Sequence, residues 1–492
     1  MITYELENRG KKALYEVLYE KIRSDIIDGR LKAGEKLPSK RAFAAQCGVS
    51  VITVENAYAQ LCAEGFLTAK ARSGFYVSEV FPETGGARHV LPEKKLREDE
   101  SGKDEGSRAE AASCAGREDV PLFADFTSNA IPPSSFPFSV WSRLMRETLS
   151  EDQEKLLMRS PSEGIYELRA AIAEYLRQFR GFDADADRII IGAGTEYLYG
   201  LLIQLLDKDA VIAVEEPGYS KVTRICEANG AAVRHIPVDE QGMDEVQLRK
   251  SDATIVHLSP GHHFPTGVVM PIGRRLKLLE WASADPQRCI IEDDYDSEFR
   301  MSGRPVPTLA GIDHTDSVIY MNTFSKSLSQ TIRISYMVLP RPLMERYRRN
   351  LDFYACTVSN FEQYTLAKFI SRGYFEKHIN RMRNRYRGIR DELLRGITLR
   401  GDKDQVREEH AGLHFLLHVK TRQSDDALMR RARENGIRIS CLSSSYADRS
   451  AAPAHILVMN YSALPKERID EALTRLYDCL DEKKLDVQNR NI

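Results

Sequence analysis

Lys326 lies in Thr323-Phe324-Ser325-Lys326-Ser327-Leu328, and Arg333 follows seven residues after it. An amine among hydroxyls with an arginine close by suits a Schiff-base lysine beside a phosphate site. Burial and a neighbouring cation lower the lysine pKa and free its lone pair. The preceding run Val318-Ile319-Tyr320-Met321 predicts a buried strand, which puts the lysine at a strand end. Taken alone, the stretch reads equally well as a solvated polar loop.

Other chemically capable residues fall at further predicted strand ends. Arg188 to Gly192 leads into Gly192-Ala193-Gly194-Thr195, a turn that can offer N–H groups and a hydroxyl to a phosphate. Ala210 to Val214 ends in Glu215-Glu216-Pro217-Gly218-Tyr219, which adds an aromatic ring. Thr254 to Leu258 runs into Ser259-Pro260-Gly261-His262-His263-Phe264-Pro265-Thr266-Gly267, whose adjacent histidines point apart and lack a third ligand, so no metal is expected. Cys289 to Glu292 continues into Asp293-Asp294-Tyr295. A carboxylate for a pyridinium nitrogen, a phenol for a ring oxygen, an aromatic face, a phosphate cup and an amine are the set that pyridoxal 5'-phosphate requires.

Strands that alternate with helical patterns, such as Tyr197 to Leu206 and Pro271 to Ala282, predict an α/β domain with a mainly parallel sheet covered on both faces. In such sheets ligands bind where strands end in loops. The whole chain of 492 residues exceeds one core, so several domains are expected. A net charge of -2 means that any nucleic-acid surface must be local. No apolar run approaches a membrane span, the acidic start does not resemble a signal peptide, and eight scattered cysteines fit neither a disulfide framework nor a zinc site, so a cytoplasmic protein is expected.

Residues 1–80 read as a winged helix-turn-helix. Leu14, Leu18, Ile22 and Ile26 form one helical stripe; Ser39 caps a short helix ending at Gly48; Ser50 opens a third whose inward stripe is Val54, Tyr58 and Leu61. Two strands follow around Lys70-Ala71-Arg72-Ser73. Twelve Lys or Arg against ten Asp or Glu give this segment only +2. The argument for DNA therefore rests on position. Lys40 and Arg41 open the second helix and Lys70 and Arg72 lie on the wing, where they can meet phosphates, while Thr53 and Asn56 can face base edges. From Pro82 to Leu122 there is no aromatic residue, and 81–122 read as a flexible linker that leaves the head a variable position. The body divides into a large domain, 123–340, and a small C-terminal subdomain, 341–492.

Leu37-Pro38-Ser39-Lys40-Arg41, Gly48 through Tyr58, and Glu64-Gly65-Phe66-Leu67 resemble the winged-helix signature of GntR-family regulators. By that resemblance Arg41 and the wing residue Gly74 contact DNA, with Ser50 opening the recognition helix; Val51 and Glu55 depart from the arginines that many members carry. The body resembles fold-type I aminotransferases. That resemblance implies that Lys326 forms the Schiff base, Asp293 pairs with the pyridine nitrogen, Tyr295 bonds the ring oxygen and Tyr219 stacks, with Gly194, Thr195, Thr323, Ser325 and Arg333 around the phosphate. Head, linker and body together resemble the MocR-type subfamily of GntR regulators, in which the body senses a ligand and dimerises, often with each head over the partner subunit.

Departures concern the ligand. Lys221 and His455 stand where the resemblance leads one to expect arginines for a substrate carboxylate, and Phe264 replaces the asparagine before Pro-Thr-Gly. The implied function is a homodimeric, DNA-binding regulator that senses pyridoxal 5'-phosphate and controls vitamin B6 genes. Two alternatives remain: a regulator answering to an amino compound condensed with the cofactor, and a working aminotransferase with an accessory head.

Overall fold

The computed structural model describes residues 13–70, 74–78, 122–151, 153–301, 306–401, 405–407 and 412–481. The linker expected at 81–122 lies outside them except for Leu122.

The head forms as the periodicity predicts. Helix α1 (Leu14–Ile27) buries Leu18, Ile22 and Ile26 against α3 (Val51–Ala63), whose Val54, Tyr58 and Leu61 are fully enclosed. Between them, α2 (Lys40–Cys47) starts where the Ser39 hydroxyl accepts the Ala42 N–H at 3.3 Å and stops at Gly48, which takes the left-handed conformation a C-terminal turn needs. The wing is an antiparallel pair, β1 (Leu67–Lys70) and β2 (Gly74–Val77). Arg72, at the expected tip, lies outside the described residues.

In the body, β4 (Ile189–Gly192), β5 (Val211–Glu216), β6 (Ala232–Asp239), β7 (Gly242–Met243), β8 (Ile255–Leu258), β9 (Cys289–Asp293), β10 (Val318–Thr323) and β11 (Ser335–Val338) build one eight-stranded sheet. Its order is β4-β11-β10-β9-β8-β5-β6-β7. Strands β6, β5, β8, β9 and β10 run parallel, as apolar runs separated by helices predict. One element was not expected: β11 enters antiparallel between β4 and β10, so the Lys326 loop is a hairpin connection, closed by Phe324 N–H donating to Ile334 O at 2.9 Å.

The small subdomain carries an antiparallel sheet of β12 (Val406–Arg407), β13 (His414–His418) and β15 (Ile456–Asn460). The first segment after the linker, β3 (Ala124–Asp125), pairs in parallel with β14 (Ile437–Arg438), so the chain enters the body through the small subdomain rather than the large one. Conversely, Met344, Tyr347 and Leu351 bury against the large domain, although they lie beyond the expected boundary at 340.

The head sits on the body. Ile272, first residue of the helix Ile272–Ser283, is buried in the head's own core, with Leu276 and Ile312 packed beside it. Its N–H donates to Glu64 O at 2.9 Å, and a Cβ on Gly65 would come within 2.6 Å of Pro271 Cβ. This differs from a head tethered at variable position. The apolar surface left open by α3 and β1 is completed by a body residue, and composition along the linker carries no trace of that. Among the described residues no helix is long and apolar enough to cross a membrane.

Candidate functional site

The C-terminal ends of β4, β5, β8, β9 and β10 open into one cavity of about 840 Å³. Gly194, Thr195, Tyr219, Asp293, Tyr295, Thr323, Ser325, Lys326, Arg333 and Lys221 come together there; Gly194 reaches it through its contact with Arg333, and the others line it directly. Burial draws the Lys326 ammonium below its ordinary pKa; Asp296 and Asp293 oppose that shift, and Lys221 adds to it.

The expected phosphate cup is built from two segments. Gly194, at φ 96°, precedes the helix Thr195–Leu205, whose first N–H groups have no partner within the helix. A side chain at Gly194 would collide with the Arg333 guanidinium, 2.2 Å from its Cβ position, so the close approach requires glycine. Thr323 Oγ1 accepts from the Ser325 N–H at 3.1 Å and from the Ser335 hydroxyl at 2.8 Å, which fixes the loop. The Ser325 hydroxyl itself is buried and lacks any protein partner.

On β9, alternation sends neighbouring carboxylates to opposite faces. Asp293 faces the cavity. Its Oδ2 accepts from Tyr199 OH at 3.2 Å, and Tyr199 OH meets His257 Nε2 at 2.7 Å. Asp293 Oδ1 is buried and unpartnered, and burial lifts this carboxyl to about 7. Tyr295 OH donates to His262 O at 3.0 Å, and burial raises its phenol well above the usual range. Tyr219 is half exposed over the cavity, its ring 5.9 Å from that of Phe264.

Sequence reading missed Tyr199, His257 and Glu215. Glu215 is buried at the cavity wall, accepts the Ser259 N–H at 3.0 Å with Oε2, and leaves Oε1 unpartnered; burial lifts its carboxyl to about 8. The available signal was a polar residue inside an apolar strand, His257 between Val256 and Leu258 and Glu215 after Val214.

The expected effector anchors fare differently. Lys221 lines the cavity but is ion-paired with Glu196, which also takes Arg333. Burial alone would raise the Glu196 carboxyl, yet hydrogen bonds from Lys221, its own backbone and Arg333 hold it down to about 2. His455 is not brought to the site. It precedes β15 at φ 63°, and its ring meets Gln423 O at 2.9 Å, away from the cavity. The strand residue Val458 instead joins Leu416, Leu442 and Ile456 in an apolar cluster against Phe264 and Tyr446, so among the described residues the small subdomain meets the cavity with Ser445, Tyr446 and Ala447 and no cation. Among the described residues no group of three or more His, Cys, Asp or Glu could hold a metal.

In the head, Arg41 and Asn56 are exposed, and Gly74, at φ 118°, opens the second wing strand. Lys40 is paired with Glu55 at 2.6 Å and lies over the Phe75 ring. Ser50 caps α3 by accepting the Thr53 N–H at 3.1 Å and meets the Thr53 hydroxyl at 2.8 Å, which leaves Thr53 partly engaged. Lys70 lies 4.9 Å over the Tyr76 ring. Val51 and Ile52 are exposed at the start of α3, an apolar pair suited to thymine methyl groups.

Residues 14–77 match the model of bacterial regulatory proteins of the gntR family, and residues 125–476 match aminotransferase class I and II. A relative from Rhizobium meliloti, the probable rhizopine catabolism regulatory protein MocR, is 31% identical over 96% of this chain and 94% of its own. The chain is a MocR-type regulator of the GntR family. Another member, the HTH-type transcriptional regulator YdeL of Bacillus subtilis, is 37% identical over 94% of this chain and 96% of its own. The pyridoxine biosynthesis transcriptional regulator PdxR of Corynebacterium glutamicum is 29% identical over 87% of both chains. Among solved structures, the kynurenine aminotransferase of Pyrococcus horikoshii, in complex with PMP, shares the body's fold at a TM-score of 0.64 and 23% identity, covering 74% of this chain and 91% of its own.

The aminotransferase class I and II fold of this body implies pyridoxal 5'-phosphate as its cofactor. Its residues fit that group: buried oxygens of Asp293 and Ser325 lack protein partners, one suited to a pyridinium N–H and one to a phosphate, and Lys326, next to Ser325 in sequence, lines the same cavity. When bound, the cofactor supplies an aldehyde that an amine can capture and a ring that withdraws electrons.

Proposed function

We propose that this MocR-type regulator senses pyridoxal 5'-phosphate itself and controls genes of vitamin B6 synthesis or salvage. The observation that carries the reading is the unequal provision of the cavity. Lys326 stands ready for an aldehyde, and Thr195 and the unpartnered Ser325 hydroxyl stand ready for a phosphate, with Arg333 beside them in an ion pair with Glu196. An amino acid's carboxylate has a poorer anchor, because Lys221, held by Glu196, is a point charge without the planar fork of Arg333, and the described residues of the small subdomain add no cation to the cavity. The name of the relative PdxR, a pyridoxine biosynthesis regulator, supports the same direction.

In this reading Lys326 Nζ would hold the cofactor's aldehyde, Asp293 Oδ1 would keep a proton on the pyridine nitrogen, and Tyr199 and His257 orient that carboxylate. Tyr295 would bond the ring oxygen and Tyr219 would cover the ring. Arg41, Lys40, Lys70 and Gly74 meet DNA phosphates, while Asn56, Thr53 and the first turn of α3 read bases. The working unit is a homodimer, because winged helices read paired half-sites.

The test compares operator binding by the cofactor-free and the reconstituted full chain, using fragments from upstream of candidate B6 genes. A changed affinity or footprint on loading is expected; identical binding in both states would sink the reading. A second reading, an amino compound as effector, is favoured by the extent of the cavity past Lys326 to Glu227 and Tyr446. It predicts that an added amine shifts the bound cofactor's absorption band and the footprint together.

A further inference from the structure

We infer that the seat of the head on the body is energetically linked to the cofactor cavity through Arg275, so that a seated head and a bound cofactor favour each other. The inference rests on the cofactor reading above.

The seat is small but specific. Ile272 enters the head's core, its N–H is taken by Glu64 O, and Gly65, at φ 78°, lies against Pro271 with no room for a side chain. Glu64 is itself buried: its carboxylate accepts from Tyr19 OH at 2.6 Å and from Gln60, so the end of α3 is held rigidly where the body meets it.

One helical turn beyond Ile272 lies Arg275, a guanidinium that is 1% exposed. It has no carboxylate in hydrogen-bonding contact. Instead Nε donates to Met270 O at 2.8 Å, Nη2 to Pro260 O at 2.7 Å, and Nη1 to Pro307 O. An arginine that spends its donors on three carbonyls is a clamp, because its planar fork ties several backbone segments into one unit. Two of those segments lead to the cavity. Pro260 follows Ser259, which lines the cavity and binds Glu215, and begins the turn that carries His262, to which Tyr295 is bonded, and Phe264. Pro307 precedes the short helix Leu309–Ile312, whose first two N–H groups are taken by Glu292, the residue before Asp293, at 2.8 and 2.9 Å. The last residue of that helix, Ile312, packs against the head's core.

The same body elements therefore touch the head on one side and fix the Ser259–Phe264 turn and the end of β9 on the other. A head that leaves its seat removes the partner of Ile272 and loosens the first turn of that helix, and with it the cavity wall that Arg275 holds. Linkage makes the effect reciprocal for binding: cofactor that stabilises the wall stabilises the seat.

The experiment uses the full chain with pyridoxal 5'-phosphate as probe, in wild type, Ile272→Ser and Gly65→Ala, one substitution on each side of the contact. Amide exchange over the segment 271–279 reports the seat, absorbance titration reports cofactor affinity, and circular dichroism checks folding. Both variants are expected to lose protection in that segment and to raise the half-saturating cofactor concentration about fivefold or more, the lower end of ordinary site–site coupling. The bound spectrum should stay the same. Loading the wild type should slow exchange at the seat. An opened seat with unchanged cofactor affinity overturns the inference, as does a wild-type chain whose segment 271–279 exchanges freely. A wild-type chain that never takes up the cofactor overturns the functional reading and the coupling with it, while seat protection would still report the head's position.

Discussion

The head and the body solve the placement of functional groups in opposite ways. In the head, α1 to α3 bury Leu18, Ile22, Val54, Tyr58 and Leu61 against one another, and the residues offered to DNA ride on the outside of those helices. The body buries its functional groups. Asp293 and Glu215 at the cavity, with Glu292 behind them, are enclosed carboxyls that burial lifts to between about 7 and about 8, and Lys326 is drawn down. A head of this kind is limited by packing, whereas the body carries an electrostatic cost that the cofactor's own charges can offset.

That contrast can be broken most severely at Lys326. In Lys326→Ala the covalent absorption band of the cofactor is expected to vanish entirely and operator binding to stop responding to cofactor, with the head's helical signal intact. A retained band in the variant would mean that another amine holds the aldehyde. The second effect is in the head's core. Leu61→Ala is expected to destabilise the head by about 2–5 kcal/mol, so that denaturant releases DNA binding well before it releases the cofactor band; coincident loss of both signals would show that the two regions unfold as one. The smallest effect sharpens the electrostatic side of the comparison. Asp293 has a folded pKa of about 7, above its unfolded value near 3.9. Its contribution to the stability of the cofactor-free chain is therefore full below about pH 4 and lost progressively as pH rises to about 7. Asp293→Asn should thus gain on wild type in Tm across that window and level off above it, by on the order of a few degrees. A pH-independent difference would assign the effect to packing alone.

The same contrast governs what could be read from sequence. The head was legible almost residue by residue, because helical periodicity, the caps at Ser39 and Ser50 and the glycine stop at Gly48 are local signals. The parallel strands of the body were legible from apolar runs, and with them the strand ends that meet in the cavity. What was not legible depends on distance in the chain. Strand β11 is a four-residue segment that gains its place only by pairing with both β4 and β10. Tyr199 and His257 act on Asp293 from segments 94 and 36 residues away. The family resemblance puts His455 at an arginine position, but the strand starts at Ile456, after a left-handed residue, and the strand residue that packs toward Phe264 and Tyr446 is Val458. The seat at Ile272 was invisible for a similar reason, since its partner Glu64 lies in another domain.

The hairpin between β10 and β11 has a consequence for how such regulators diversify. Lys326 and Arg333 share one closed loop, so the groups proposed to hold the aldehyde and the phosphate form a single cassette. The residues that would greet an effector come from elsewhere: Tyr219 and Lys221 after β5, and Ser445 to Ala447 from the small subdomain. Point changes in those distant segments can redirect what the cavity recognises while the cassette goes on gripping the same coenzyme, which lets one scaffold acquire new signals without relearning its chemistry.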